Sequence, residues 1–305
     1  MTAETRRLTL CDGRITGLAS TGGKADLPLI VMLPGGGGNA AQFDTPNRSF
    51  LATAVANGFS AIALNRPAQG DSAPLDLNCN SDSGVFAANA QRLLSAIDEI
   101  WKTESAHPGV VIYGSSIGGA IALHMAAAWS NSKRPWPLLG IAVADIGHVA
   151  PPILVDTWRS LAPVNIINLA DYFAVFLAGV PAWAMPRRPP PQAAMPPLVL
   201  PVPRAELQEV VGGWIRDWKN ICSQISVPVQ YRLAKHDTPW VVSEQFVQEF
   251  TDALKKASPY VESAIVPGSM HVISNGPVAT SHMLDVLSFV SRCAVAVQIP
   301  EVLES

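Results

Sequence analysis

The chain has 305 residues, 49% hydrophobic and 15% charged, with a formal net charge of −3. That length and apolar content support a large buried core, as one big α/β domain or as a core with an insertion. With no Lys/Arg run, the composition argues against a nucleic-acid footprint and against a polybasic membrane patch. In chain order, Met1 to Leu10 is polar and charged and lacks an apolar h-region, so secretion is not expected and a cytoplasmic location is. Arg6 to Ser20 reads as a hairpin, with two alternating segments around the tight-turn pair Asp12-Gly13. Leu29 to Leu33 is an apolar strand followed by Pro34 and four glycines. Ser49 to Ala56 reads as a short helix and Ser60 to Leu64 as a strand. Gly84 to Trp101 carries Phe86, Leu93, Leu94, Ile97, Ile100 and Trp101 at a helical period, with N-cap candidates at Ser81 to Ser83. The strand Val110 to Tyr113, a helical stretch Ala120 to Trp129 and the strand Leu138 to Ala144 come next.

From about Pro151 to Ser226 the rhythm breaks. Prolines crowd this region, including Pro189-Pro190-Pro191 and Pro196-Pro197, and they prevent a long regular helix. Arg187 to Pro203 fits a proline-rich linker. The flanks carry Trp158, Tyr172, Phe173, Phe176, Trp183, Trp214 and Trp218, an aromatic load that needs burial. One amphipathic helix, Arg204 to Ile221, is expected. Leu161 to Met185 is the most apolar run, but Pro163, Asp171 and Pro181 interrupt it, so it falls short of a transmembrane span and membrane contact is not expected. An insertion of this length between core strands reads as a lid. The strand Val227 to Leu233, the helix Ser243 to Lys256, the strand Val261 to Val266 and the helix Val278 to Ser291 close the chain. Near-continuous apolar strands alternating with helices predict an α/β fold with a mostly parallel sheet covered on both faces. The expected division is core residues 1–150, a lid at 151–226 and core residues 227–305. Cys11, Cys79, Cys222 and Cys293 lie far apart with no CxxC pair, which fits free thiols in a reducing compartment.

One stretch carries chemistry. Gly114-Ser115-Ser116-Ile117-Gly118 follows a β-rich run and precedes a helical one, so a G-x-S-x-G pattern sits on a strand–turn–helix junction. Such a turn strains the apex residue and pushes its Oγ out of the sheet. The flanking glycines let strand and helix approach without Cβ clashes. The helix N-terminus behind Ser116 offers unpaired N–H groups to a developing oxyanion. The bland alternative is a glycine-rich turn with a solvated serine; the strand–helix context favours a nucleophile.

Four further motifs keep it company: Leu33-Pro34-Gly35-Gly36, the run Asn65-Arg66-Pro67-Ala68-Gln69-Gly70-Asp71-Ser72, an acid after a late strand, and a histidine after the last strand. With these the chain resembles the α/β-hydrolase fold family over nearly its whole length. Pro34-Gly35 stands where that family usually carries His-Gly, which keeps the oxyanion loop and removes a structural histidine. The resemblance places cap insertions where the proline-rich block lies, and the bulky apolar insertion resembles that of microbial or fungal natural-product tailoring hydrolases. It also implies the chain order serine, acid, histidine. Of six histidines, His271 lies just after the last expected strand and is the base expected from that order. His282 falls inside the last helix, His124 in the stretch after Ser116, and His148 at the start of the insertion, where it is a pocket candidate. Asp237 follows the strand Val227 to Leu233 and is the first candidate acid; a turn or helix-capping aspartate is its plain alternative. Asp145, after Leu138 to Ala144, is the alternative acid. Two backbone N–H groups, of Ile117 and Gly36, are the expected oxyanion hole.

The glycine run Gly35 to Gly38 lacks the Lys and Ser/Thr of a phosphate loop, and no His/Cys/Asp cluster has metal-ligand spacing, so no cofactor and no metal are expected. The expected activity is serine-dependent hydrolysis of an ester, thioester or lactone of a small apolar molecule, with Trp158, Phe173, Phe176, Trp183 and Trp214 as candidate pocket aromatics. For any one of them, packing within the insertion's own core is the favoured reading. Acyl transfer, cyclisation and carbon–carbon bond hydrolysis remain open on the same residues, as does a small-molecule receptor with little turnover. Catalytic decay usually removes a triad member, and none is missing here.

Overall fold

Strands rich in Leu, Ile and Val bury both of their faces, and alternate residues point to opposite sides. In a computed structural model describing residues 5–46, 48–75, 84–172, 181, 201–296 and 299, this produces one eight-stranded sheet. Its strands are β1 (Arg6–Leu10), β2 (Ile15–Ser20), β3 (Leu29–Leu33), β4 (Ala61–Leu64), β5 (Val110–Ser115), β6 (Leu138–Ala144), β7 (Val229–His236) and β8 (Val261–Met270). They lie in the order β1-β2-β4-β3-β5-β6-β7-β8. The hairpin β1–β2 is antiparallel and β2 pairs antiparallel with β4; all other pairings are parallel. Strand β3 shows the two-sided burial directly. Leu29, Val31 and Leu33 join one apolar cluster, while Ile30 and Met32 join another.

The helices divide between those clusters. One face is covered by α2 (Val85–Glu104), α3 (Ile117–Ser130), α6 (Ile215–Cys222) and α7 (Glu244–Leu254). The other is covered by α1 (Phe50–Ala56) and α8 (Ala279–Ala296). Ser49 caps α1 through Ala52 N–H, and Ser243 caps α7 through Phe246 N–H. Helix α2 has Gly84 at its N-cap without a side-chain bond, and Ser81 to Ser83 lie outside the described residues.

Between β6 and β7 the chain leaves the sheet. It forms α4 (Pro152–Arg159), a short ribbon pairing Ile166–Asn168 with Pro201–Pro203, and α5 (Arg204–Glu209). The single helix expected over Arg204 to Ile221 is divided by a π-helical turn, Val210–Trp214. Gly212 and Gly213 weaken the helix there, and a Cβ on Gly213 would come 2.5 Å from Glu209 Oε1. The wide turn reseats Trp214, which is fully buried and donates Nε1–H to the Gly147 carbonyl. Of the linker expected over Arg187 to Pro203, residues 187–200 lie outside the described residues, and Pro201–Pro203 form a paired strand. Among the described residues, no helix is long and apolar enough to cross a membrane.

Candidate active site

In an open parallel sheet the crevice lies at the carboxyl ends of the strands, where the strand order reverses. Here the order reverses between β3 and β5. The loops leaving β3, β5, β6, β7 and β8 carry Gly35-Gly36, Ser116, Asp145, Asp237 and His271 to that edge.

Ser116 sits between β5 and α3 with φ 54° and ψ −124°, a conformation that L-residues avoid. Two close approaches account for the neighbouring glycines. A Cβ on Gly114 would lie 2.4 Å from the Gly118 carbonyl oxygen, and one on Gly118 would lie 2.4 Å from that of Leu33. Helix α3 starts at Ile117, three residues before the helical stretch expected from hydropathy, because the turn itself forms its N-terminus. The first turn leaves Ile117 N–H without an intrahelical acceptor. Gly35 faces the same point: a Cβ there would lie 3.2 Å from Ser116 Cβ.

His271 links Ser116 to Asp237. Its Nε2 lies 2.9 Å from Ser116 Oγ and its Nδ1 lies 2.9 Å from Asp237 Oδ2. The register of β7 against β8 shifts between Ala234 and His236, immediately before Asp237. Such irregularities re-aim side chains. Asp237 Oδ1 accepts from Trp240 N–H at 3.2 Å. Burial raises the Asp237 carboxyl above its ordinary range. Burial also works against a charged imidazole, but the charge of Asp237, its hydrogen bond and the charge of Asp145 outweigh it and leave His271 raised.

The alternative acid occupies a different place. Asp145 is fully buried, accepts from Ser115 Oγ–H at 2.8 Å and from Ile273 N–H at 3.1 Å, and has φ 62°. Burial pushes its carboxyl up to about 7. One ligand-type atom from each of Asp145, Asp237 and His271 falls within 4.8 Å of the others. A metal reading of that cluster is poor, because both ring nitrogens of His271 are already engaged with Asp237 and Ser116.

Of the pocket candidates, Trp158 and Trp214 are buried in the main apolar cluster. His148 stacks on Trp218 at 4.1 Å and its Nε2 lies 3.2 Å from Glu249. Phe173, Phe176 and Trp183 lie outside the described residues. His282 is buried in α8 with Nε2 3.0 Å from the Tyr113 hydroxyl. A cavity of about 190 Å³ between α2, α3 and α6 is lined by His124, Gln91 and Asn131 among others and includes no residue of the Ser116 site. Sequence reasoning left Arg66, Gln69 and Glu206 without roles. The first two stand in a recognised motif; Glu206 carries no signal, since it resembles any acidic residue in a helix's first turn.

A mostly parallel sheet with a strained serine on a strand–helix turn defines the α/β-hydrolase class. The profile described as alpha/beta hydrolase family matches residues 30–282, and the chain belongs to that family. Comparison with curated protein sequences gives no match. Among solved structures, the chain is similar to a lipase in its open form, with 17% identity, 95% of this chain and 99% of that one covered, and a TM-score of 0.66. It is also similar to a 2-hydroxy-6-oxo-6-phenylhexa-2,4-dienoate hydrolase from Rhodococcus sp. strain RHA1, with 16% identity, coverage of 95% and 99%, and a TM-score of 0.61. A monoacylglycerol lipase from Paleococcus ferrophilus gives 12% identity, coverage of 96% and 100%, and a TM-score of 0.59. At these identities the likeness is one of fold.

Proposed function

We propose that the protein is a serine hydrolase that cleaves an ester, thioester or lactone of a small apolar molecule through an acyl-enzyme on Ser116. The observation that carries this reading is the unbroken chain of contacts from Ser116 Oγ to His271 Nε2 and from His271 Nδ1 to Asp237, each 2.9 Å. A serine hydroxyl needs an adjacent base, and the base needs an acid to fix its tautomer. In this mechanism His271 takes the hydroxyl proton as Ser116 attacks the carbonyl. Asp237 stabilises the imidazolium, and Ile117 and Gly36 N–H hold the oxyanion. His271 returns the proton to the leaving group. It then activates water, which releases the acid and frees Ser116. The segment 151–226 acts as a lid over the acyl pocket. The scatter of the four cysteines supports a reducing compartment.

The test is labelling with a fluorophosphonate, followed by peptide mass spectrometry, on the wild type and on Ser116→Ala, alongside turnover of p-nitrophenyl esters of increasing acyl length. The expected result is phosphonylated Ser116 in the wild type only, with ester turnover that the substitution abolishes. A folded wild type that neither labels nor turns over any ester would overturn the proposal.

A further inference from the structure

Beneath the loop that leaves β3 lies a buried guanidinium. Arg66 is fully buried, as is Glu206 of α5, and its Nη1 donates to both Glu206 carboxylate oxygens. The rest of the fork is turned on the loop's backbone. Nε donates to the Pro34 carbonyl at 3.2 Å, and Nη2 donates to the carbonyls of Gly35 and Gly36 at 3.0 Å each. Gln69, also buried, adds Nε2–H bonds to the Gly36 carbonyl at 3.0 Å and to that of Pro201 at 3.2 Å.

Three consecutive carbonyls thus point at one cation. A trans peptide is planar, with its C=O and N–H directed oppositely. Arg66 and the Gly38 N–H (3.0 Å) both hold the Gly35 carbonyl, and this directs the Gly36 N–H away from the guanidinium, in a loop that meets Ser116 where a Cβ on Gly35 would lie 3.2 Å from Ser116 Cβ. A cation behind the carbonyl also polarises that peptide and strengthens its N–H as a donor. Only a planar fork reaches several acceptors at fixed angles.

The counter-charge comes from elsewhere in the chain. Glu206 and Pro201 both belong to the segment inserted between β6 and β7, and Val202 of that segment lies against the loop. Without Glu206 the guanidinium is a buried, unpaired charge, a state that proteins do not hold in place.

We propose that Arg66 is a positioning residue that aims the Gly36 N–H at the oxyanion, and that Glu206 makes this aim depend on the docking of segment 201–209 against the core. The inference rests on the serine-hydrolase reading. An inserted segment that leaves the loop would release the guanidinium and blunt the oxyanion hole, so the docking of that segment arms the site.

The experiment compares the wild type with Arg66→Met/Glu206→Leu and with Arg66→Lys. The double variant replaces the buried pair by apolar side chains of similar volume, an exchange that often preserves folding; Arg66→Lys keeps the ion pair and loses the fork. Circular dichroism and thermal melting verify the folded fraction. Readouts are kcat and KM for p-nitrophenyl butyrate and the rate of Ser116 phosphonylation by a fluorophosphonate. For the folded double variant, kcat and phosphonylation rate are expected to fall together by about 10²-fold, with KM within about threefold. Arg66→Lys is expected to lose about tenfold in kcat in the same pattern. A folded variant of either kind with wild-type kcat, or with its loss confined to KM, would overturn the positioning role and leave the serine-hydrolase reading intact. A wild type that is neither labelled nor active would instead overturn that reading, and this inference with it.

Discussion

Replacing Asp145 by asparagine should change how stability depends on pH more than it changes the fold. The carboxyl is fully buried and burial lifts it from its ordinary 3.8 to about 7. Between those values the folded state keeps a proton that the unfolded chain has already released. Stability therefore falls as pH rises through the window, and the loss is complete above about pH 7. At about 1.36 kcal/mol per pH unit, the displacement corresponds to about 4 kcal/mol. Asparagine is neutral throughout and can still accept from Ser115 Oγ–H and Ile273 N–H. Its extra amide hydrogens need acceptors, a penalty of about 1–3 kcal/mol that does not vary with pH. The slope is thus the test. Urea denaturation of wild type and Asp145→Asn from pH 4 to pH 8 should show the variant gaining on the wild type by about 4 kcal/mol across the range. Stability curves that run parallel would refute the reasoning, because the substitution removes both the titrating Asp145 carboxyl and its support of the His271 imidazolium.

Asp237→Asn should lower kcat by about 10⁴-fold on a p-nitrophenyl ester by disturbing the His271 tautomer, whereas Asp145→Asn should lower it less than tenfold; steady-state kinetics on the two variants decides which aspartate serves His271. On the proposed mechanism the base His271 must be neutral to act, and it is raised above its ordinary 6.5, so the acid limb of kcat/KM should lie above that value. In Asp145→Asn the limb should move to lower pH, since the Asp145 charge supports the imidazolium. Ser116→Gly should abolish labelling and raise stability by about 1 kcal/mol in urea denaturation, because glycine adopts the strained apex conformation without a Cβ penalty.

Ser116 and His271 were legible because each carries a local signal: a glycine-framed turn for one, and a place after the last strand for the other. Asp237 is legible as the first candidate acid but not as the sole one, because an aspartate follows two different strands. What separates them is their partners in space: Asp237 reaches His271 Nδ1, whereas Asp145 accepts from Ser115 and Ile273. Strand ends are less legible for a related reason. Strands β7 and β8 continue to His236 and Met270, past the apolar run, because pairing with a neighbour rather than hydropathy ends them. The π-helical turn left only Gly212-Gly213 as a hint. Glu206 left nothing, since its burial is decided by Arg66, 140 residues earlier in the chain.

The distances along the chain also have a kinetic meaning. Ser116 and His271 are 155 residues apart, and Asp237 and His271 are 34 apart. Serine rides on a strand in the middle of the sheet, while the strand that delivers histidine closes its edge. Parallel pairing between remote segments is slow, because chain entropy is lost before contacts compensate for it. A chain emerging from the ribosome completes its nucleophile turn long before β7 and β8 exist. On the proposed mechanism, a nascent chain that still lacks β8 holds a serine with no histidine beside it, and it cannot acylate itself on the metabolites around it until that strand is home.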